Sequence, residues 1–282
     1  MPLAALPDVL QPALRGGYAV AGLVVLGWED ARAYVAAAEA ESAPVILQAG
    51  PGCRAHTPLP VLGAMFRHLA EAASVPVVAH LDHAYAADEC REAIDCGFTS
   101  VMFDGSRLPL ADNIAQTAEI VAIAHAQGVS VEGEIGFVGY DAGEQSHGTD
   151  PGQAREFARQ TGVDAMAISI GNVHLQRSRT ANIDRDLLRR IEAGTDVPLV
   201  LHGASGIPGA MRAELATASA VCKFNIGTEL RQVFGAALRG HLARHPDSFD
   251  RVEILRAVED PLCAAARSVI RVLRPSQNPS RA

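Results

Sequence analysis

Eight short apolar runs recur along the chain, each followed by a longer, often Ala-rich segment of helical period, and this alternation limits the fold more than any other feature. It predicts strands near residues 19–25, 45–49, 77–82, 99–103, 129–134, 165–170, 198–202 and 222–226. Helices are expected near 29–41, 59–74, 87–96, 111–127, 152–161, 184–193, 209–219 and 229–243, with a long C-terminal helix near 250–273. Asp150 before Pro151 reads as a helix start, and Cys96-Gly97 and Gln127-Gly128 read as helix ends. Eight βα units favour an α/β fold of the (β/α)8, or TIM-barrel, type, with a helix near 3–14 covering its bottom. An open doubly wound sheet calls for a glycine fingerprint after its first strand, and Gly27-Trp28-Glu29-Asp30 offers none. The 282 residues suit one such domain over 1–282, with a flexible tail at 274–282.

Bulk properties exclude several functions. A formal charge of -8, without a polybasic run, offers no electrostatic footprint for nucleic acid. No apolar span has membrane length, and the first residues lack the basic region of an export signal. Cys53, Cys90, Cys96, Cys222 and Cys263 form an odd set without a CxxC pair, which suits reduced thiols in a cytoplasmic protein.

The chemistry gathers where apolar runs end. His83 closes the third, His174 follows the sixth and His202 closes the seventh, while Asp104 ends the fourth and Glu134 the fifth. In a closed barrel these ends share one mouth, and three neutral imidazoles with an open position make a catalytic zinc site. Glu132 and Glu134 face the same side of their strand, with Glu132 deeper as an orienting carboxylate. Asp82 and His83 are consecutive, so both can face the mouth only if the strand ends or bulges there. Asp104 also has a capping role open to it through the Gly105-Ser106 turn, and His80 reads as a supporting residue inside its strand. His56, His68, His125, His147, His241 and His245 read as surface residues. After the seventh and eighth runs come His202-Gly203-Ala204-Ser205-Gly206 and Asn225-Ile226-Gly227-Thr228, placed where barrel enzymes hold phosphate. Gly203, Ser205 and Thr228 are the candidates, whereas Gly50-Pro51-Gly52 reads as a plain turn.

Together these segments resemble the class II, zinc-dependent ketose-bisphosphate aldolases, the family of fructose- and tagatose-bisphosphate aldolases. The resemblance rests on Arg15-Gly16-Gly17-Tyr18-Ala19-Val20, Leu81-Asp82-His83, Ser100-Val101-Met102-Phe103-Asp104-Gly105-Ser106 and Val131-Glu132-Gly133-Glu134-Ile135-Gly136, with the two glycine segments of the phosphate cluster. It implies a carbon–carbon lyase that cleaves a ketose phosphate to a dihydroxyacetone phosphate-type donor and an aldehyde through a zinc-stabilised enediolate. By the same resemblance His83, His174 and His202 hold Zn2+, Glu134 and Asp104 serve a second position for a divalent or monovalent cation, and Asp82 is the proton donor and acceptor. Asn225 would touch the donor, with Ser205 and Thr228 on its phosphate. The resemblance further implies a homodimer or homotetramer acting on a small anionic sugar.

Three departures point to altered specificity. His174-Leu175-Gln176-Arg177 stands where the family has His-Gly-x-Tyr, and Ala21-Gly22-Leu23-Val24 where it has Pro-Ala-Phe and asparagine. The loop from Phe137 to Asp150 is short, with Ala142 at the position of a proton-moving glutamate, leaving Asp141 or Glu144 to substitute. Arg177 or Arg179 is expected to contact an acidic group of the substrate through a guanidinium fork. Two other readings stay open: a Schiff-base aldolase using Lys223, and a non-catalytic stabilising subunit.

Overall fold

The computed structural model describes residues 3–141 and 143–274. All eight anticipated strands are present: β1 (Val20–Val24), β2 (Val45–Ala49), β3 (Val77–Ala84), β4 (Ser100–Phe103), β5 (Ser130–Ile135), β6 (Ala165–Ile168), β7 (Leu199–Leu201) and β8 (Val221–Ile226). They pair in sequence order and in parallel, and β8 returns to β1 with Val20 opposite Lys223 and Leu23 opposite Ile226. The result is a closed (β/α)8 barrel. Closure leaves no sheet edge, and strands covered on both faces need continuous apolar runs, which is why the sequence shows runs rather than alternation.

The N-terminal helix α1 (Leu6–Gly16) closes the bottom. Its Leu6, Val9, Leu10 and Ala13 pack against the inward Val20, Ile46, Val78, Met102 and Val200, so the lower barrel interior is apolar. Around the outside run α2 (Trp28–Ala40), α3 (Pro51–His56), α4 (Leu59–Ala72), α5 (Ala87–Asp95), α6 (Leu110–His125), α7 (Pro151–Thr161), α8 (Arg185–Glu192), α9 (Gly209–Ala218) and α10 (Thr228–Arg244). The outward strand residues and these helices form the larger of the two core clusters. Asp150 caps α7 by accepting from Gln153 N at 2.9 Å, as its place before Pro151 led one to expect.

Several expectations are corrected. The segment after Gly50 is a helix, α3, because Pro51 supplies the backbone angle of a first helical residue and lacks the N–H that a helix start leaves unpaired. The long C-terminal helix divides into α11 (Arg251–Arg256) and α12 (Glu259–Leu273). In one continuous helix Pro261 would be interior and unable to donate, whereas division places it in the first turn of α12. Arg274, assigned to the tail, is docked: its guanidinium lies 4.9 Å from the Tyr18 ring centre and donates to Ser42 O at 3.0 Å. His241 is buried on α10 rather than at the surface. Ala142 and the remaining tail, 275–282, lie outside the described residues.

Two irregularities decide what the barrel's upper half contains. The β3–β4 register shifts between Leu81 and Ala84, and His83 adopts φ 53°, so Asp82 and His83 both reach the mouth. The β7–β8 register shifts at Leu199/Val200, which lets consecutive Cys222 and Lys223 both enter the interior, Cys222 into the apolar floor and Lys223 above it.

Candidate active site

His83, His174 and His202 converge at the open end, with ring centres 4.6 Å (His83–His202), 5.1 Å (His83–His174) and 5.6 Å (His174–His202) apart. Each offers a nitrogen within 4.8 Å of the others. His83 also forms a second group with Asp104 and Glu134 under the same limit. All five residues assigned to cations by sequence thus share one rim.

The donor set fits a divalent ion of the zinc type. Glu132 Oε1 accepts from His202 Nε2 at 2.9 Å, leaving His202 Nδ1 buried and without a partner. Glu134 Oε2 is likewise buried and unpartnered, 3.7 Å from that nitrogen. Two buried polar atoms left this close together without a hydrogen-bond partner are a cost that a bound cation removes. Asp104 takes the capping role in its turn, Oδ1 accepting from Ser106 Oγ at 2.6 Å and Ser106 N at 3.1 Å, while Oδ2 meets His83 Nδ1 at 2.9 Å.

The charges follow from these neighbours. Burial disfavours the His83 imidazolium, but Asp82, the hydrogen-bonded Asp104 and Glu134 outweigh it and raise its pKa to about 9. Burial also opposes the charge on Asp104, yet the His83 hydrogen bond and charge and the Ser106 contacts bring it to about 2. His174 is pushed down to about 3 by burial and by His83, and His202 is held well below its ordinary value for the same reasons. Burial, with Asp104 nearby, keeps Glu134 well above the usual carboxylate range.

Asp82 stands beside this cluster. Its Oδ1 accepts from Gln48 Nε2 at 2.9 Å and from Asn225 Nδ2 at 3.2 Å, and its Oδ2 points toward Gly50 at the cleft wall. Gln48 has room because position 22 is glycine: a Cβ there would lie 2.2 Å from Gln48 Oε1. From α3, Arg54 donates to the carbonyls of Ala49, Asp82 and His83, bracing the backbone where β3 departs from regular geometry.

A cleft of about 270 Å³ opens onto Asp82, His83 and His174, a size for a small polar molecule. Gly203, Ser205, Asn225 and Thr228 line it. Gly203 has φ 63°, and a side chain there would strike Val173 O. Ser205 Oγ accepts from Gly227 N and Glu229 N at the start of α10, so hydroxyl and helix terminus occupy one corner. Leu175 also lines the cleft and holds φ 58°, a left-handed conformation that glycine adopts most readily.

Other assignments do not meet the cleft. Arg177 is exposed and not among the lining residues, and it takes part through its carbonyl, which accepts from Gln232 Nε2 at 3.5 Å. Arg179 is committed to Glu229 at 2.7 Å. The guanidinium that does line the cleft is Arg231, one helical turn after Thr228. Glu144 pairs outward with Arg107 at 2.7 Å and Asp141 is exposed, whereas Tyr140 faces the cleft and stacks on His174 at 5.1 Å. Gln48, as a polar residue inside an apolar run, and Arg231, at helical spacing from Thr228, left a signal in the sequence. Tyr140 left none.

Fold and site together define a barrel protein whose open end carries a metal-competent histidine–carboxylate cluster beside an anchored aspartate. Residues 4–278 match the family described as fructose-bisphosphate aldolase class-II. A fructose-bisphosphate aldolase from Geobacillus stearothermophilus is 36% identical over 271 residues, 94% of either chain. The crystal structure of the YdjI aldolase from Escherichia coli K12 superposes with a TM-score of 0.85 at 32% identity, covering 96% of this chain and 97% of that one. A Campylobacter jejuni fructose-bisphosphate aldolase, at 22% identity, TM-score 0.80 and coverage of 96% and 95%, shares the fold. The chain belongs to the class II fructose-bisphosphate aldolase family. It is therefore a class II aldolase, a lyase of a family that typically uses zinc. No helix among the described residues is long and apolar enough to cross a membrane.

Proposed function

We propose that the protein reversibly cleaves a ketose phosphate into a dihydroxyacetone phosphate-type donor and an aldehyde, with a specificity different from that of a fructose-bisphosphate enzyme. The observation that carries this reading is the placement of Asp82, held by two amides through one oxygen, beside three converging imidazoles. His83, His174 and His202 would hold the metal, with Asp104 and Glu134 serving a second cation position. A divalent ion, when bound, supplies electrophilic stabilisation of the charge that develops on the ketose oxygens. Asp82 removes the hydroxyl proton at the bond to be cleaved and returns it to the aldehyde oxygen in condensation. Gln48 and Asn225 keep its second oxygen aimed at that proton. Gly203, Ser205 and Thr228 hold the phosphate at the start of α10, and Arg231 supplies the cleft's guanidinium for an anionic group. Val24 and Leu175, both apolar and both lining the cleft, stand where polar or glycine residues are usual and support rebuilt donor contacts. The unpaired cysteines accord with a reducing cytoplasm, and we expect a homo-oligomer.

Lys223 favours the metal mechanism over a Schiff base, because its fully buried ammonium is paired with Glu132 at 2.6 Å and does not line the cleft. A full set of candidate metal ligands likewise weighs against a non-catalytic subunit. The test is aldehyde release by zinc-loaded protein from a panel of ketose mono- and bisphosphates and unphosphorylated analogues. Turnover of at least one phosphorylated ketose, lost in Asp82→Ala by roughly 100-fold while metal content is kept, is expected. Failure of every phosphorylated ketose, or a fully active Asp82→Ala, overturns the reading.

A further inference from the structure

We propose that Lys223, the single lysine of the chain, is a positioning residue that acts through Glu132 to hold His202 with Nδ1 facing the metal site. The inference rests on the metal reading above.

Five fully buried side chains from five different parts of the barrel form one chain across its interior: Ser100 on β4, His80 on β3, Lys223 on β8, Glu132 on β5 and His202 after β7. Lys223 Nζ donates to Glu132 Oε2 at 2.6 Å and lies 3.4 Å from His80 Nε2. An ammonium only donates, so His80 Nε2 must present its lone pair. Its proton therefore sits on Nδ1 and is donated to Ser100 Oγ at 2.7 Å. On the other side a carboxylate only accepts, so His202 carries its proton on Nε2, facing Glu132 Oε1 at 2.9 Å. That leaves the unpartnered Nδ1 as a lone pair, 3.7 Å from Glu134 Oε2. The tautomer of a cation ligand is thus set by the hydrogen bond of its other nitrogen.

Lys223 is what makes Glu132 rigid. Its ammonium occupies Oε2 and fixes the plane of the carboxylate, so that Oε1 has one direction left. Without the ammonium, a fully buried carboxylate has no cationic counter-charge within hydrogen-bond distance among the described residues, and nothing prevents its rotation away from His202.

The test uses the intact protein and three variants: Lys223→Met, Glu132→Gln and the double variant. Zinc affinity is read by competition with a chromogenic chelator, and the His202 tautomer by 15N NMR of the metal-free protein. Lys223→Met is expected to weaken zinc binding roughly 10- to 100-fold and to lose the single Nε2–H tautomer. The double variant removes both buried charges and keeps a carbonyl that can accept from His202 Nε2, so it should bind zinc more tightly than Lys223→Met. If Lys223→Met does not fold, the double variant against Glu132→Gln carries the comparison. Wild-type affinity and an unchanged tautomer in Lys223→Met, or a double variant no better than either single one, overturns the proposal. Were the wild-type protein to bind no divalent ion, the metal reading itself would fall, and the tautomer comparison would still decide whether Lys223 positions His202.

Discussion

The guanidinium of Arg54 donates to the carbonyl oxygen of His83 at 3.0 Å and, with its other terminal nitrogen, to that of Asp82 at 2.6 Å. Two adjacent carbonyls released by the irregular end of β3 are thereby satisfied by one planar group from α3. Arg54 holds the acid/base candidate and a candidate cation ligand in a single grip.

Arg54→Ala should accordingly cost about 2 kcal/mol of stability, since it leaves charge-assisted hydrogen bonds unmade in a half-buried place. Thermal unfolding reads the loss as a Tm lower by several degrees. Turnover should fall more than KM rises, because the displaced groups are those proposed to move protons and hold the cation. A variant with wild-type Tm and kcat would show that the brace is dispensable.

Protons and cation compete at His83. Its pKa of about 9 lies above the unperturbed 6.5, so the metal-free site carries a proton there at neutral pH, and metal binding must release it. Zinc affinity should therefore rise with pH throughout the range below about 9 and level off above it. The same shift makes His83 a stabilising contributor in the metal-free protein below about pH 6.5, a contribution lost as pH rises through about 9. Calorimetric titration in buffers of different ionisation enthalpy would count the released proton, and a count of zero would refute the assignment.

Substrate binding should depend on Arg231 rather than on the arginines of the β6–α8 loop. Arg231→Ala is expected to raise KM for the preferred phosphorylated ketose roughly tenfold with little change in kcat, whereas Arg177→Ala should leave both near wild type. Steady-state kinetics across phosphorylated and neutral substrates checks this. Equal effects of the two substitutions would remove Arg231 from the binding site.

Chelation should abolish turnover, and added Zn2+ should restore it with about one ion per chain bound at His83, His174 and His202. His202→Ala is expected to lose the ion even at saturating zinc. Elemental analysis of the purified variant gives the answer independently of activity.

Much of this arrangement was legible because apolar runs in a barrel must end at the same rim. His83, Asp104, Glu134 and His202 were placed by that rule alone, and the adjacency of Asp82 and His83 called for the irregularity now seen at φ 53°. What failed depends on side chains reaching across loops. Nothing in the spacing of Arg177 and Arg179 says that one turns outward and the other meets Glu229. Gly50-Pro51-Gly52 was read from turn chemistry, yet Pro51 starts α3, which runs on to His56 and delivers Arg54. Pro261 was overlooked inside a long helical pattern that it interrupts.

His174 is paired along its backbone with the loop that follows β5: its N–H reaches Gly139 O at 2.8 Å, and its carbonyl takes Asp141 N at 3.0 Å. A candidate cation ligand is thus one rung of a short ladder whose other rail is the loop after β5. Opening that loop away from the cleft would break the rungs that seat His174, so access to the cleft and the grip on an ion at His174 would draw on the same motion. Slow exchange of the His174 amide would then time both events at once.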